Sequence, residues 1–200
     1  LYCKVLIKYK PKMFVFENVP GVLTANEGQY FADMQNEFRL AGYNLDYRIL
    51  NASDFGVLQN RRRVILIGWQ KHLNYRYPEF ITVNNKSAVS EIFSDLPPLQ
   101  AGESNDQYRT EPTEYLKWSD IRDKNDVLTW HVVRPNINRD REIYRLVIRT
   151  WNSDKKRLKY TDLPEKLCTH RNKTSFLDRF KVVAGDLPVS HTLVAHISKD

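Results

Sequence analysis

Hydrophobic positions change their period several times along this chain, and each change marks an element. Met13-Phe14-Val15-Phe16 is a short unbroken apolar run after Pro11, the pattern of a buried parallel strand. Glu17-Asn18-Val19-Pro20-Gly21 follows, where Pro and Gly force a turn. Phe31, Met34, Phe38 and Ala41 then recur at helical spacing on one face, with Gly42 placed as a C-terminal cap. Leu45, Tyr47 and Ile49 alternate as a half-buried strand, and Val64–Trp69 predicts another. Between these two strands lies a loop, Asn51 to Arg63, ending in a burst of polar residues. Residues 1–69 therefore read as alternating α/β. Residues 70–126 are irregular and contain Leu96-Pro97-Pro98-Leu99. Residues 127–200 predict a helix around Arg139–Trp151 and short strands at Phe180–Ala184 and Thr192–Ile197.

Composition narrows the classes open to the chain. With 42% hydrophobic and 28% charged residues in 200, disorder and collagen-like structure are excluded. No stretch approaches the roughly 18 uninterrupted apolar residues of a membrane helix, and mean hydropathy is −0.56. Residues 1–10 alternate apolar residues with Lys4, Lys8 and Lys10 and have no small-residue cleavage site, so they do not read as a signal peptide. Two cysteines, Cys3 and Cys168, make neither a disulfide framework nor a four-ligand zinc set, which suits a reducing, cytoplasmic compartment. The five histidines lack metal-ligand spacing, and no metal site is expected. The net charge of +7 is unevenly spread. Arg139 to Lys159 holds eight bases against three acids, and Lys166 to Lys181 five against one, whereas Glu91 to Asp126 is acidic. A basic final third suits a polyanion, or simply a solvated face.

Three places could carry chemistry. Glu17 and Asn18 stand at the C-terminal end of a predicted buried strand, where open α/β sheets bind ligands. Burial there would raise the pKa of Glu17 and favour its acid form, although both residues could instead cap the following turn. In Gln59-Asn60-Arg61-Arg62-Arg63, strand alternation would point Gln59, Arg61 and Arg63 to one side. Guanidinium groups at that pitch suit a base oxygen and neighbouring phosphates, or a structural ion pair. Cys3 sits on an apolar helical stretch without a local acid or base, and Cys168 lies in the basic region; burial is the expectation for both.

The two polar clusters occur in a telling order. Phe14-Val15-Phe16-Glu17-Asn18-Val19-Pro20-Gly21, followed by Asn51-Ala52-Ser53-Asp54-Phe55-Gly56-Val57-Leu58-Gln59-Asn60-Arg61-Arg62-Arg63-Val64, closely resembles the ENV and QxRxR motifs of cytosine-C5 DNA methyltransferases, most of all those of bacterial restriction-modification systems. Asp95 to Leu99, Asp178-Arg179-Phe180, and Ser190-His191-Thr192 leading to Ile197-Ser198-Lys199-Asp200 are weaker echoes. Leu58 stands where many members have proline.

The resemblance implies methyl transfer from S-adenosylmethionine to C5 of a cytosine flipped out of double-stranded DNA. Glu17 would hold the base at N3 and the exocyclic amine. Arg61 and Arg63 would approach its O2 and the backbone, supported by Gln59, while Asn18 would order the loop. Residues 1–69 would be the C-terminal part of a Rossmann-like catalytic sheet. Residues 70–200 would form a mixed, irregular target recognition domain. DNA would meet Arg139, Arg141, Arg145, Arg149, Lys155, Lys156, Arg157, Lys159, Arg171 and Lys173. The family's glycine-rich cofactor motif and its Pro-Cys nucleophile loop lie upstream of ENV and are not among these residues. The expectation is therefore a partial enzyme, inactive alone, with neither cysteine as nucleophile. A cognate restriction endonuclease is the implied partner, and an uncovered sheet edge invites self-association. A tRNA cytosine-C5 methyltransferase and a non-enzymatic DNA-binding remnant share enough of the pattern to stand as alternatives.

Overall fold

In the computed structural model, residues 2–169, 171–175 and 177–192 are described. They fall into two compact units, one within Leu1–Asn85 and joined by Thr192, the other within Lys86–His191.

The first unit is mixed α/β. Helix α1 (Tyr2–Tyr9) leads into β1 (Met13–Asn18), then α2 (Gln29–Leu40), β2 (Tyr43–Asn51) and β3 (Arg62–Gln70). The expected helix and strands of this region all form, and Gly42 takes the left-handed backbone that ends α2 (φ 100°). The strand order is β1-β3-β2, and β3 pairs antiparallel with both neighbours, from Met13↔Trp69 to Asn18↔Val64 and from Tyr43↔Gln70 to Asn51↔Arg62. This corrects the parallel strand expected at Met13–Phe16. Strands β1 and β2 do run in the same direction, joined through α2, but β3 stands between them and takes their hydrogen bonds. Nor is β1 buried on both faces: Phe14 is buried and Phe16 partly so, while Met13 and Val15 on the other face are exposed.

One face of the sheet packs on the helices. Phe14, Tyr43, Val64 and Leu66 meet Leu6 of α1 and Phe31 and Phe38 of α2. Phe14 meets Phe38 and Tyr43 edge-on, with ring centroids 5.0 and 5.1 Å away. Gly68 lies directly opposite Phe14, and a Cβ added there would collide with the Phe14 ring. Gly68→Ala should therefore cost about 1–3 kcal/mol through overpacking. Urea denaturation of the two proteins checks this, and an unchanged midpoint would contradict it. On the other face Ile67 and Trp69 pack against Tyr77, whose hydroxyl donates to the Ile65 carbonyl at 3.0 Å. Residues 70–85 thus belong to this unit. They are tied down further by Val83 N donating to Asp54 O (2.8 Å) and Asn85 Nδ2 to Gly56 O (3.2 Å).

The second unit carries little sheet. It contains α3 (Ser90–Phe93), a two-residue antiparallel ladder of β4 (Ser104–Asn105) with β5 (His131–Val132), α4 (Glu114–Trp118) and α5 (Asn138–Asp154). Thr113 caps α4 by accepting from Leu116 N at 3.2 Å. The helix expected around Arg139–Trp151 is α5. Its Ile143 and Val147 anchor a cluster with Leu158, Tyr160, Leu163 and Leu167. The strand expected at Phe180–Ala184 does not form. Phe180 and Val182 pack against the α5 cluster instead, with the Phe180 ring 6.3 Å from that of Tyr160, so their apolar alternation reflects burial on one side rather than a ladder partner. The strand expected at Thr192–Ile197 lies largely outside the described residues.

Asp95 and Arg122, both buried, form an ion pair. Arg122 also donates to Thr110 O at 3.1 Å and lies 3.4 Å from the Tyr108 ring centroid. Among the described residues no helix is long and apolar enough to cross a membrane.

Candidate functional site

Strand geometry brings Glu17 and Arg63 together. Glu17 sits opposite Ile65 across the β1–β3 ladder, and Arg63, two residues earlier on β3, shares its face as a diagonal neighbour. Arg63 Nε lies 2.7 Å from Glu17 Oε1; the arginine side chain is 17% exposed and the glutamate 53%. The burial on which an acid-form Glu17 was expected is therefore absent, and a guanidinium stands beside the carboxylate. Arg63 Nη1 also donates to the Arg62 carbonyl at 2.8 Å, which fixes the plane of the fork.

The other motif residues are arranged differently. Asn18 Oδ1 accepts from Val19 N at 2.8 Å, capping its own turn. Val19 is extended, as a residue before proline must be, and Pro20–Leu23 form a 3-10 turn. Strand β3 begins only at Arg62, so the alternation expected to align Gln59, Arg61 and Arg63 does not reach Gln59 or Arg61. Gln59 N donates to Val57 O at 2.7 Å within a tight turn. Leu58, in the position common for proline, is buried. Arg61 is exposed, and its guanidinium has no ion pair among the described residues.

Asn51 is a residue the sequence pattern did not single out. Its Oδ1 accepts from Arg61 N at 2.9 Å, its Nδ2 donates to Asn60 Oδ1 at 3.0 Å, and Ala52 N donates to Arg61 O at 3.1 Å. One amide at the end of β2 thus closes the loop on which Arg61 stands. The available signal was an asparagine at the point where a strand gives way to a loop. On the same sheet face, Leu50 is the cross-strand partner of Arg63 and lines a cleft of about 710 Å³ with Arg48, Asp54, Arg76, Tyr77 and Phe80. Arg48 lies over the Tyr77 ring, 4.8 Å from its centroid.

Cys3 packs against the core of the first unit, where burial and the nearby Glu37 push its thiol up. Cys168 Sγ donates to Tyr160 O at 3.3 Å. Among the described residues no group of three or more His, Cys, Asp and Glu gathers as a metal site.

The basic residues of the second unit divide by what they touch. Arg139 is held by Asp140 (3.1 Å) and Thr169 (2.9 Å), and Lys155 by Asp186 (3.0 Å). Arg141, Arg145 and Arg149 have no ion pair among the described residues. Lys156, Arg157, Lys159, Arg171 and Lys173 are exposed.

A carboxylate and a guanidinium side by side, contributed by an ENV turn and an arginine-rich strand start, agree with the comparison to known proteins. The chain belongs to the C-5 cytosine-specific DNA methylase family, whose model matches residues 1–185. It is 39% identical over 218 residues to the Type II methyltransferase M.Bpa9945I of Bacillus paralicheniformis, a match covering 100% of this chain and 48% of that protein. The Type II methyltransferase M.XorII of Xanthomonas oryzae pv. oryzae is 39% identical over 103 residues, 50% of this chain and 24% of its own. The chain thus spans about half the length of M.Bpa9945I. Among solved structures, the Entamoeba histolytica methyltransferase EhMeth overlaps 40% of this chain and 23% of its own at 21% identity, with a TM-score of 0.32, too little to bear on the argument.

Proposed function

We propose that this chain is the base-holding and DNA-contacting part of an enzyme that transfers a methyl group from S-adenosylmethionine to C5 of cytosine within a specific DNA sequence. The observation that carries this is the Glu17–Arg63 pair, assembled at 2.7 Å from two separate motifs. The pairing edge of cytosine presents O2, N3 and the exocyclic amine in a row. A guanidinium beside a carboxylate meets that row in order: Arg63 donates to O2, and Glu17 accepts from the exocyclic amine and from N3 once the base takes up a proton there. Drawing electron density toward O2 and N3 makes C6 a better target for a nucleophile. The base must leave the stack for this, at a cost of a few kcal/mol.

S-adenosylmethionine has no fitting set of groups among the described residues. The loop after β1 holds two glycines, Gly21 and Gly28, and its first part is closed on itself, with Val22 N donating to Val19 O and Thr24 N to Gly21 O. We therefore assign the methyl donor and the nucleophile to the rest of the enzyme, and to these residues the base and the DNA. In this reading the first unit completes a Rossmann-like sheet and the second recognises the target with its basic stretches. The enzyme works in the bacterial cytoplasm beside a cognate restriction endonuclease, and the uncovered edge of β1 is where a fragment would self-associate. No observation favours the tRNA enzyme or the inert remnant.

Radiolabelled S-adenosylmethionine and unmethylated mixed-sequence DNA test the reading. A chain extended to the full length of M.Bpa9945I should label the DNA, and the 200-residue chain alone should not. An extended, folded chain that labels no DNA would overturn the proposal, and label from the short chain would overturn its division of labour.

A further inference from the structure

Resting on that reading, we propose that one face of α5 lies along the DNA backbone, with Arg141, Arg145 and Arg149 neutralising phosphates of a single strand. The three arginines recur every four residues, so they share a stripe. Ile143, Val147 and Trp151, also four apart, are the buried residues of the helix, which turns the arginine stripe away from the core. Arg145 and Arg149 are exposed and Arg141 partly so. The nearby acids are engaged elsewhere: Asp140 holds Arg139 and Glu142 holds Lys166 at 3.0 Å. Like charges four residues apart repel along a helix, so this stripe burdens the free protein and is relieved by a polyanion. Eight residues of helix span about 12 Å, a length over which one DNA strand presents three to four phosphates at 3.4 Å of axial rise each. Ile148, half exposed beside the stripe, adds an apolar surface of the kind that meets bases at a groove edge.

The stripe also sorts the basic residues of this unit. Arg139 and Lys155 are bound to Asp140 and Asp186, so they contribute little to binding, and Arg141, Arg145 and Arg149 supply the contacts.

Fluorescence anisotropy of a short labelled duplex of mixed sequence, titrated with the 200-residue chain between about 50 and 200 mM salt, tests this. Each phosphate contact adds about 0.9 to the slope of log affinity against log salt. The R141A/R145A/R149A variant should lose about 2.7 of that slope and bind roughly 10- to 100-fold more weakly at 100 mM salt, alike on unrelated sequences. The R141K/R145K/R149K variant should keep the slope, because the charges remain. A triple alanine variant with the original slope and an unchanged melting temperature would overturn the assignment to α5 while leaving the broader DNA reading in place. Binding by the original chain that ignores salt would overturn both.

Discussion

Arg63→Ala in the full-length methyltransferase should lower the methylation rate by about 10²–10³-fold, the usual cost of removing one donor aimed at developing charge on an oxygen. Lysine should not restore the rate, because a single ammonium cannot reproduce the planar fork that reaches both Glu17 and a base oxygen. Glu17→Gln should fall by about 10²–10⁴-fold, since an amide cannot exchange a proton with N3. Unfolding would not explain either loss. Glu17 is 53% exposed, and such a pair contributes at most about 1 kcal/mol to stability. Single-turnover labelling with S-adenosylmethionine, alongside melting curves of the same samples, measures both. An Arg63→Ala rate within threefold of the original would remove Arg63 from the proposed base contact.

Asp95→Ala should have the largest effect on stability, about 3–5 kcal/mol, because it strands the Arg122 guanidinium in the interior. The pair is buried, with Asp95 at 1% and Arg122 at 7% exposure, and the loss is a large share of the roughly 5–15 kcal/mol that holds a protein folded. Thermal melting followed by circular dichroism should fall by roughly 10 °C. Replacing both residues with apolar ones, D95L/R122M, should recover most of the loss, since the remaining charge is removed as well. A melting temperature unmoved by Asp95→Ala would mean that water reaches the pair. Tyr108 and the Thr110 carbonyl also hold Arg122, so one ion pair ties together three stretches of a unit whose described residues hold only two short β-strands.

How much of this was legible in the sequence depended on the range of the interaction. Elements α2 and α5 were readable because apolar residues repeat within a few positions, and their faces are the buried ones. The positions of β1, β2 and β3 were readable for the same reason, but their pairing was not. An apolar run such as Met13–Phe16 looks the same whether its neighbour runs parallel or antiparallel. Phe180–Ala184 was misread because alternation records burial on one side and not what covers it. At the site, the residue types at Glu17 and Arg63 were evident, but their contact needed the diagonal register of β1 and β3. Strand alternation was applied back to Gln59 and Arg61, but β3 starts at Arg62, one residue after Arg61 and three after Gln59. Asn51 acts through a backbone amide ten residues away, and Asp95 pairs with Arg122 across 27 positions; neither distance leaves a local pattern.

The central position of β3 also sets an order of assembly. Its pairing with β2 begins at Asn51↔Arg62, across a loop of about ten residues, whereas its pairing with β1 spans 46 positions at its nearest, Asn18↔Val64. Closing the longer loop costs about 1.3 kcal/mol more in chain entropy. The β2–β3 hairpin is therefore the inexpensive half of the sheet, and β1 docks onto a surface already made. During synthesis, Glu17 leaves the ribosome some 46 residues before its arginine, and the nascent chain carries that carboxylate unpaired until the hairpin has emerged.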